Sequence, residues 1–286
     1  MSLNTYQAEV VSMNELKNLF IEMTAKYCNM HCNHCYIDFP KYKKVEDFIK
    51  IDVIKSALND LKNEELNCIY LTGAEPMTHP DFNAILRLCL EKTNVCICTN
   101  GSFINEKKAR FLKKVENESD YQIFFKISLD HYDEMQNDTA RYRGAFRHAV
   151  FALKHLLKYE FTPIITVTNY FKLSESEIYA EYSKLFKKNN FNLNESNIQI
   201  VPYYDKNSQL EEVKTCKNTD KLDCINGRTL TTTGVYTCPF LANDYRGRSG
   251  STFNDYNKKS SLETNFCNLC VNSKNTIFSI DYSQLN

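Results

Sequence analysis

The chain has no excess of charge of either sign and no long basic segment. Among its 286 residues, 35 are Lys or Arg and 35 are Asp or Glu. Nucleic-acid-binding domains usually carry a basic patch or stripe. The composition therefore gives no reason to expect a nucleic-acid partner.

Long apolar runs are also missing. No stretch approaches the roughly 20 residues that cross a bilayer, and no signal peptide precedes the first predicted strand. We therefore expect a cytoplasmic protein without a membrane partner. In that reducing compartment the twelve cysteines are expected to bind metal rather than form disulfides. Four of them lie within strand or helix patterns and are interpreted as small core residues: Cys68, Cys89, Cys96 and Cys98.

Short apolar strands alternate with helical stretches over the first two hundred residues. Strands are predicted at 19–23, 68–71, 95–98, 123–127, 163–168 and 198–202. Apolar residues recur at helical spacing within 53–61, 82–89, 149–157 and 178–186. This alternation predicts an α/β fold with a parallel sheet. Such sheets carry their chemistry at the carboxyl ends of the strands.

Three cysteines lie close together at Cys28, Cys32 and Cys35. A 4Fe-4S cluster is normally held by four thiolates, so a loop with three leaves one iron open to a small molecule. An open position is typical of catalytic rather than structural metal sites. On its own, the loop also fits three thiols in a turn, with His31 or His34 completing a zinc site.

Three further motifs follow, each directly after a predicted strand. They are Leu71-Thr72-Gly73-Ala74-Glu75-Pro76, Thr99-Asn100-Gly101, and Ser128-Leu129-Asp130 with Asn137, Asp138 and Arg141 downstream. Each alone is also compatible with an ordinary turn, since Gly, Pro and Asn mark turns in many proteins. In this order and together with the cysteine loop, they resemble the motifs of the radical S-adenosylmethionine (SAM) enzymes.

The resemblance implies an open six-stranded parallel (βα)6 partial TIM barrel that holds a 4Fe-4S cluster and SAM. It implies that an electron from the cluster cleaves SAM, and that the resulting 5'-deoxyadenosyl radical takes a hydrogen atom from a substrate carbon. A reducing partner such as flavodoxin or ferredoxin is expected. Beside the three cysteine ligands, the residues expected to contact SAM are His34, Tyr36, Gly73, Ala74, Glu75, Pro76, Thr99, Asn100, Ser128, Asp130 and Arg141.

Some of these expectations are specific. In the family the acid that corresponds to Glu75 accepts a hydrogen bond from the ammonium group of SAM. Ala74 stands where the family has a second glycine, which raises a question about the backbone at this point. Arg141 suits the carboxylate of SAM because its guanidinium can donate two hydrogen bonds at once. Arg143 is the alternative for that role.

After about residue 206 the composition changes. The chain becomes rich in Asn, Thr and Lys and acquires Cys216, Cys224, Cys238, Cys267 and Cys270. Four thiolates, two of them three residues apart and one after a predicted hairpin through Thr233-Gly234-Val235, can cage a structural zinc. Their order also resembles the twitch domain, the shortened form of the SPASM domain, which binds an auxiliary 4Fe-4S cluster.

The second resemblance implies two domains. Residues 1–206 are expected to form the barrel, and residues 207–286 a small cysteine-rich α+β twitch domain. The implied ligands of the auxiliary cluster are Cys224, Cys238, Cys267 and Cys270, with Cys216 as a possible replacement for Cys224.

The function predicted first is a net oxidation of a sugar- or aminocyclitol-like small molecule. A cluster with four thiolate ligands has no iron free for substrate, but it can accept an electron from a substrate radical. The alternative is a peptide maturase of ribosomal natural products that forms thioether or carbon-carbon crosslinks. It is ranked second because only 27 residues precede Cys28, fewer than the roughly 80 of a peptide-recognition domain.

A third possibility is a non-catalytic cysteine-rich protein that binds zinc or carries electrons. Substrate contacts are expected near strand ends, where the candidates are His131, Tyr132, Tyr203 and Tyr204.

Overall fold

The computed structural model describes residues 9–37, 45–203 and 221–280. The strands in these residues are β1 Val10–Ser12, β2 Asn18–Glu22, β3 Cys68–Thr72, β4 Asn94–Thr99, β5 Ile123–Ser128, β6 Ile164–Thr168, β7 Ile198–Val201, β8 Gly227–Thr231, β9 Gly234–Tyr236, β10 Arg248–Gly250 and β11 Lys259–Ser261. The helices are α1 Ile51–Asp60, α2 Phe82–Leu90, α3 Glu106–Asn117, α4 Glu134–Ala140, α5 Ala145–Lys158, α6 Glu175–Asn189 and α7 Asn265–Asn272.

One sheet contains nine of these strands, in the order β10-β9-β8-β2-β3-β4-β5-β6-β7. From β8 to β7 all neighbours are parallel, whereas β9 and β10 are antiparallel. The six predicted strands are all present and adjacent, which confirms an α/β fold with a mostly parallel sheet. The sheet exceeds the expected six strands because β8 pairs with the open edge of β2 and satisfies its backbone groups.

The helices form where apolar side chains recur along one face. Helices α1, α2, α5 and α6 occupy the predicted helical stretches. Helices α3 and α4 were not predicted. Helix α3 buries Ala109, Leu112 and Val115 at a spacing of three. Five Lys and Arg residues within its twelve positions dilute that apolar pattern.

Both faces of the central strands are covered, so β3 is buried along its whole length. Ile69 and Leu71 pack in the main core with the helices, and Cys68 and Tyr70 pack in a smaller cluster with Ile280. Alternate residues of a strand point to opposite faces. One face of the sheet therefore belongs to the helices and the other to the end of the chain.

Residues 276–280 cover the face of the sheet opposite the helices. Tyr70 on β3 accepts a hydrogen bond at its Oη from the backbone N of Ile280, at 2.8 Å. Gln199 on β7 donates from Nε2 to the carbonyls of Thr276 and Ser279, at 2.9 and 3.1 Å. Side chains of β3 and β7, four positions apart in the sheet, thus bind the same short segment.

The predicted hairpin is confirmed by the antiparallel pairing of β8 with β9. The predicted boundary between residues 206 and 207 lies outside the described residues, and so does Cys216. Among the helices that the structure describes, none has both the length and the apolar character needed to cross a membrane.

Candidate functional site

A cavity opens at the carboxyl ends of the parallel strands. Thr72, Ser128, Thr168 and Val201, the last residues of β3, β5, β6 and β7, line it. This is the edge where parallel α/β sheets place their chemistry. All three cysteines of the predicted SAM cluster lie in the same wall. The other lining residues are Met30, His34, Tyr36, Ile37, Gly73, Ala74, Cys98, Asn100, Lys126, Arg141, Thr166, Ile277 and Phe278.

The loop that carries Cys28, Cys32 and Cys35 has no regular secondary structure and is held by hydrogen bonds. The backbone N of Cys35 donates to the carbonyl of Cys32 at 3.2 Å. Asn33 donates from its backbone and from its side chain to two carbonyls at the end of α4, at 3.0 and 2.8 Å. The loop is therefore anchored to the helix that precedes Arg141.

The three thiols fit an iron-sulfur site with one open iron. Burial raises the pKa of Cys28 to about 11, so this thiol has to lose its proton when a metal binds. The backbone N of Met30 donates to Cys28 Sγ at 3.4 Å, and the side-chain Nδ2 of Asn100 does so at 3.8 Å. Such donors stabilise a sulfur ligand. Across the described residues, no three His, Cys, Asp or Glu side chains are already grouped to hold a metal ion.

Asp130 links the cysteine loop to the sheet. Its Oδ2 lies 3.0 Å from Nε2 of His34 and 2.8 Å from Nη1 of Arg141. Its Oδ1 accepts the backbone N–H of Thr168 at 2.8 Å. Burial would raise the pKa of this carboxyl, but Arg141 and His34 hold it well below its ordinary value. Asp130 therefore stays ionised and fixes two side chains of the cavity wall.

Glu75 lies behind the cavity wall. Its Oε1 accepts hydrogen bonds from Thr99 Oγ1 at 2.8 Å and from the backbone N of Met77 at 3.2 Å. Its Oε2 accepts the backbone N–H of Asn100 at 2.9 Å. Burial raises the pKa of Glu75 to about 7 despite these hydrogen bonds. The carboxyl joins the end of β3 to the end of β4, and its contact with the ammonium group of SAM stays a prediction.

The backbone requires glycine at only one of the two positions after β3. Gly73 has a φ of +110°, and a Cβ there would lie 2.4 Å from the carbonyl O of Thr24. Ala74 has an ordinary negative φ, and its backbone N donates to the same carbonyl at 2.8 Å. Alanine in place of the second glycine therefore fits this loop.

The predicted SAM contacts divide into a lining set and a supporting set. The lining set is His34, Tyr36, Gly73, Ala74, Asn100, Ser128 and Arg141. The supporting set, buried behind it, is Glu75, Pro76, Thr99 and Asp130. Arg143, the alternative to Arg141, is exposed and lines a separate surface depression.

The four cysteines predicted for the auxiliary cluster line a second cavity, together with mostly apolar side chains. Cys224 precedes β8, Cys238 follows β9, and Cys267 and Cys270 lie one turn apart on α7. Residues three apart share a helix face. By donor count, four thiols around one cavity fit a four-thiolate iron-sulfur cluster, and they also fit zinc.

Arg228 supports the Cys224 turn from inside the protein. Its fully buried guanidinium donates from Nη1 to the carbonyls of Cys224 and Gly227, at 2.6 and 2.7 Å. A Cβ on Gly227 would lie 2.9 Å from the ring of Phe20 on β2. Glycine at this position thus lets β8 approach β2 closely.

Half of the lining residues were not among the predicted site residues, and these include Cys98, Lys126 and Thr166. Cys98 was interpreted as a core residue, but it is only half-buried and lines the cavity. Lys126 interrupts an otherwise apolar strand, and that interruption was the available signal. Thr166 carried no signal, because only the fold brings it to the cavity.

The predicted substrate candidates lie elsewhere. His131 is buried and accepts a hydrogen bond at its ring from the backbone at the start of α4. Tyr132 donates to a glutamate of α6, and Tyr203 packs edge-on against a neighbouring tyrosine. None of these three lines the cavity, and Tyr204 lies outside the described residues.

Known proteins match the chain over the same region. The sequence profile of the radical SAM superfamily matches residues 24–182, which include every motif from Cys28 to Arg141. The mycofactocin maturase MftC of Mycolicibacterium smegmatis (strain ATCC 700084 / mc(2)155) is 29% identical over 136 residues. That alignment covers 47% of this chain and 33% of MftC, so the match spans about a third of this relative's length.

Solved structures share the fold at low sequence identity. Streptococcus suis SuiB bound to S-adenosylmethionine has a TM-score of 0.63 and 16% identity, over 84% of this chain and 64% of SuiB. SuiB bound to the precursor peptide SuiA has a TM-score of 0.62 and 15% identity, over 85% of this chain and 65% of SuiB. Native anSMEcpe with bound AdoMet and Cp18Cys peptide has a TM-score of 0.60 and 17% identity, over 84% and 78% of the two chains.

Proposed function

The chain belongs to the radical SAM superfamily and is a radical SAM enzyme, and on this basis we propose that it matures a peptide substrate. The radical chemistry in this proposal rests on one cavity, which is lined by Cys28, Cys32, Cys35 and the strand-end residues. When bound there, an open 4Fe-4S cluster and SAM supply a 5'-deoxyadenosyl radical that abstracts a hydrogen atom from a substrate carbon.

Arg141 is prepared to bind a carboxylate such as that of SAM. Asp130 holds its Nη1 at 2.8 Å, while its Nε is buried without a hydrogen-bond partner. A buried donor without a partner is costly, so a ligand oxygen at this point would satisfy it. Arg141 and the three cysteines line the same cavity, so a ligand bound to the open iron would lie near Arg141.

The relatives support a peptide over a small molecule. SuiB and anSMEcpe are described with bound peptides, and MftC is described as a maturase. We therefore place peptide maturation, ranked second from the sequence, above the oxidation of a sugar or aminocyclitol. The latter remains the second candidate.

The proposal includes an auxiliary 4Fe-4S cluster on Cys224, Cys238, Cys267 and Cys270. Its support is the cavity that these four thiols share. A cluster with four thiolate ligands exchanges electrons but offers no open iron. We expect reduced flavodoxin or ferredoxin to supply the electron for SAM cleavage, in the cytoplasm.

The test of the chemistry is anaerobic reconstitution followed by SAM cleavage with dithionite. The wild-type protein should bind about eight irons and form 5'-deoxyadenosine. Cys32→Ala should abolish 5'-deoxyadenosine because two thiolates do not hold the cluster. Cys89→Ala, in the buried face of α2, is the matched control and should retain it. Zinc without sulfide, or normal cleavage by Cys32→Ala, would contradict the proposal.

The test of the substrate class uses short peptides encoded beside the gene and, separately, a set of aminocyclitols. A peptide product that has lost two hydrogen atoms, formed together with 5'-deoxyadenosine, would support maturation. An oxidised aminocyclitol with unchanged peptides would favour the second candidate instead.

A further inference from the structure

The cavity contains a buried lysine without a carboxylate partner. Lys126 lies in the interior of β5 and is 5% exposed. Its Nζ donates to the backbone carbonyls of Ile277 and Phe278, at 3.2 and 2.7 Å. Within residues 9–37, 45–203 and 221–280, no Asp or Glu oxygen lies within 4.0 Å of this nitrogen.

This arrangement leaves a donor and a charge available. An ammonium group has three N–H donors, and the two carbonyls accept two of them. A buried charge is costly unless it is paired, and carbonyl dipoles replace only part of a counter-charge. Because Lys126 lines the cavity, an anion bound there would complete its environment.

Two further side chains of the cavity wall near Lys126 can contact a ligand. Thr166 on β6 lines the same cavity opposite Ser128, and its buried Oγ1 has no hydrogen-bond partner. Cys98 on β4 is the direct cross-strand neighbour of Lys126 and also lines the cavity. A hydrogen bond from Cys96 lowers the pKa of Cys98; burial opposes this shift, and the charge of Lys126 adds to it to a smaller extent.

Lys126 is distinct from the part of the wall assigned to SAM. Arg141 has the unpartnered Nε and is tied to the cysteine loop through Asp130 and His34. Lys126 lies two residues before Ser128 on the same strand. Two residues of a strand span about 6.6 Å, so Lys126 lies deeper in the sheet, away from the strand ends.

We propose that Lys126 binds a carboxylate of the substrate, with Thr166 two residues nearer the strand ends, and so determines which substrates enter. This inference rests on the proposed peptide substrate. The carboxylate then comes either from the C-terminus of the peptide or from an Asp or Glu side chain, and both present the same group to the lysine.

The test measures binding of small blocked probes to the reconstituted, SAM-loaded protein by saturation-transfer NMR. N-acetylalanine presents an α-carboxylate, and N-acetylglutamic acid α-amide presents a side-chain carboxylate. Their uncharged partners are N-acetylalanine amide and N-acetylglutamine amide. One carboxylate should bind at least about tenfold more tightly than its amide, as a charge-assisted hydrogen bond implies. Whichever carboxylate binds identifies its source.

Three variants separate the contact from a structural role. Lys126→Met should lose at least about tenfold in affinity for the carboxylate probe, and Lys126→Arg should retain most of it because the charge remains. Gln199→Leu removes another side-chain anchor of residues 276–280 without removing charge from the cavity. It should bind the probe like the wild type.

Several results would overturn the proposal. These are no carboxylate binding by the wild type, equal binding of the amides, equal losses in Lys126→Met and Gln199→Leu, or a loss of SAM affinity in Lys126→Met as large as that for the probe. A wild-type protein that binds the carboxylate but modifies no peptide would instead contradict the proposed function and leave this contact standing.

Discussion

Asp130 and Arg141 form an ion pair inside the protein, with 2.8 Å between Oδ2 and Nη1 and side chains that are 0% and 10% exposed. Asp130 follows β5 and Arg141 follows α4, so the pair fixes two separate chain segments at the cavity. His34 of the cysteine loop lies against the same oxygen, at 3.0 Å. One carboxylate therefore connects the cluster loop with the residue best placed for SAM.

Replacing the carboxylate tests this connection. Asp130→Asn should lower the free energy of unfolding of the metal-free protein by about 3 kcal/mol, because Arg141 stays buried without its counter-charge. Urea unfolding at pH 7 measures the loss. Arg147→Gln breaks the exposed pair with Glu134, 2.6 Å apart, and should cost less than about 1 kcal/mol. Equal losses in the two variants would contradict the role of burial.

The two arginines after α4 should differ in their effect on SAM. Arg141→Ala should retain the cluster but weaken SAM binding by about 1.5–3 kcal/mol, the value of a charge-assisted hydrogen bond. Arg143→Ala should bind SAM normally, because that side chain is exposed and lies outside the cavity. Calorimetric titration of the reconstituted proteins compares them. The reverse result would show that the motif is misaligned.

The loop after β3 should distinguish its two small residues. Gly73→Ala forces a side chain into a left-handed backbone and against the carbonyl O of Thr24, so it should destabilise the protein by more than about 1–2 kcal/mol. Ala74→Gly should change stability by no more than about 1 kcal/mol. Thermal unfolding of the metal-free proteins measures both. A tolerated alanine at Gly73 would mean that the loop rearranges freely.

Glu22 predicts a pH dependence of stability. Burial at the end of β2 raises its pKa to about 7, which a hydrogen bond from Asn243 only partly offsets. Between about pH 4.5 and 7 the unfolded chain releases this proton while the folded protein retains it. The contribution of Glu22 to the free energy of unfolding therefore falls as pH rises through this window and is constant above it.

Glu22→Gln removes that titration. The variant should gain stability relative to the wild type as pH rises from 5 to 7.5, by up to about 1.4 kcal/mol per pH unit. Urea unfolding of both proteins at pH 5, 6 and 7.5 gives the comparison. Parallel curves would show that Glu22 keeps an ordinary pKa in the folded protein.

The second cavity should lose its metal independently of the first. Cys267→Ser with Cys270→Ser should remove about four irons while 5'-deoxyadenosine formation persists. Product formation should fail if the auxiliary cluster accepts the substrate electron. Thermal unfolding of the double variant is the control, since metal binding and folding are coupled in such segments. Loss of iron in Cys216→Ala but not in Cys224→Ala would identify a different ligand.

Much of the fold was predictable because it depends on local patterns. The apolar strand at Cys68–Thr72 and the helix at Phe82–Leu90 each carry their signal within a few residues. The motifs lie directly at strand ends, and parallel strands bring those ends to one edge. The strand count was not predictable, because β8 joins the sheet through pairing with β2, which lies two hundred residues earlier in the chain.

The sequence by itself determined that this protein is a radical SAM enzyme, through three closely spaced thiols and an order of short motifs typical of that family. Only the tertiary structure decided which side chains line the cavity. Lys126 reaches carbonyls some 150 residues away, and Asp223 holds residues 277–279 through three backbone N–H groups. Such contacts join segments that share no local pattern, because they arise only when the folded sheet packs against residues 276–280.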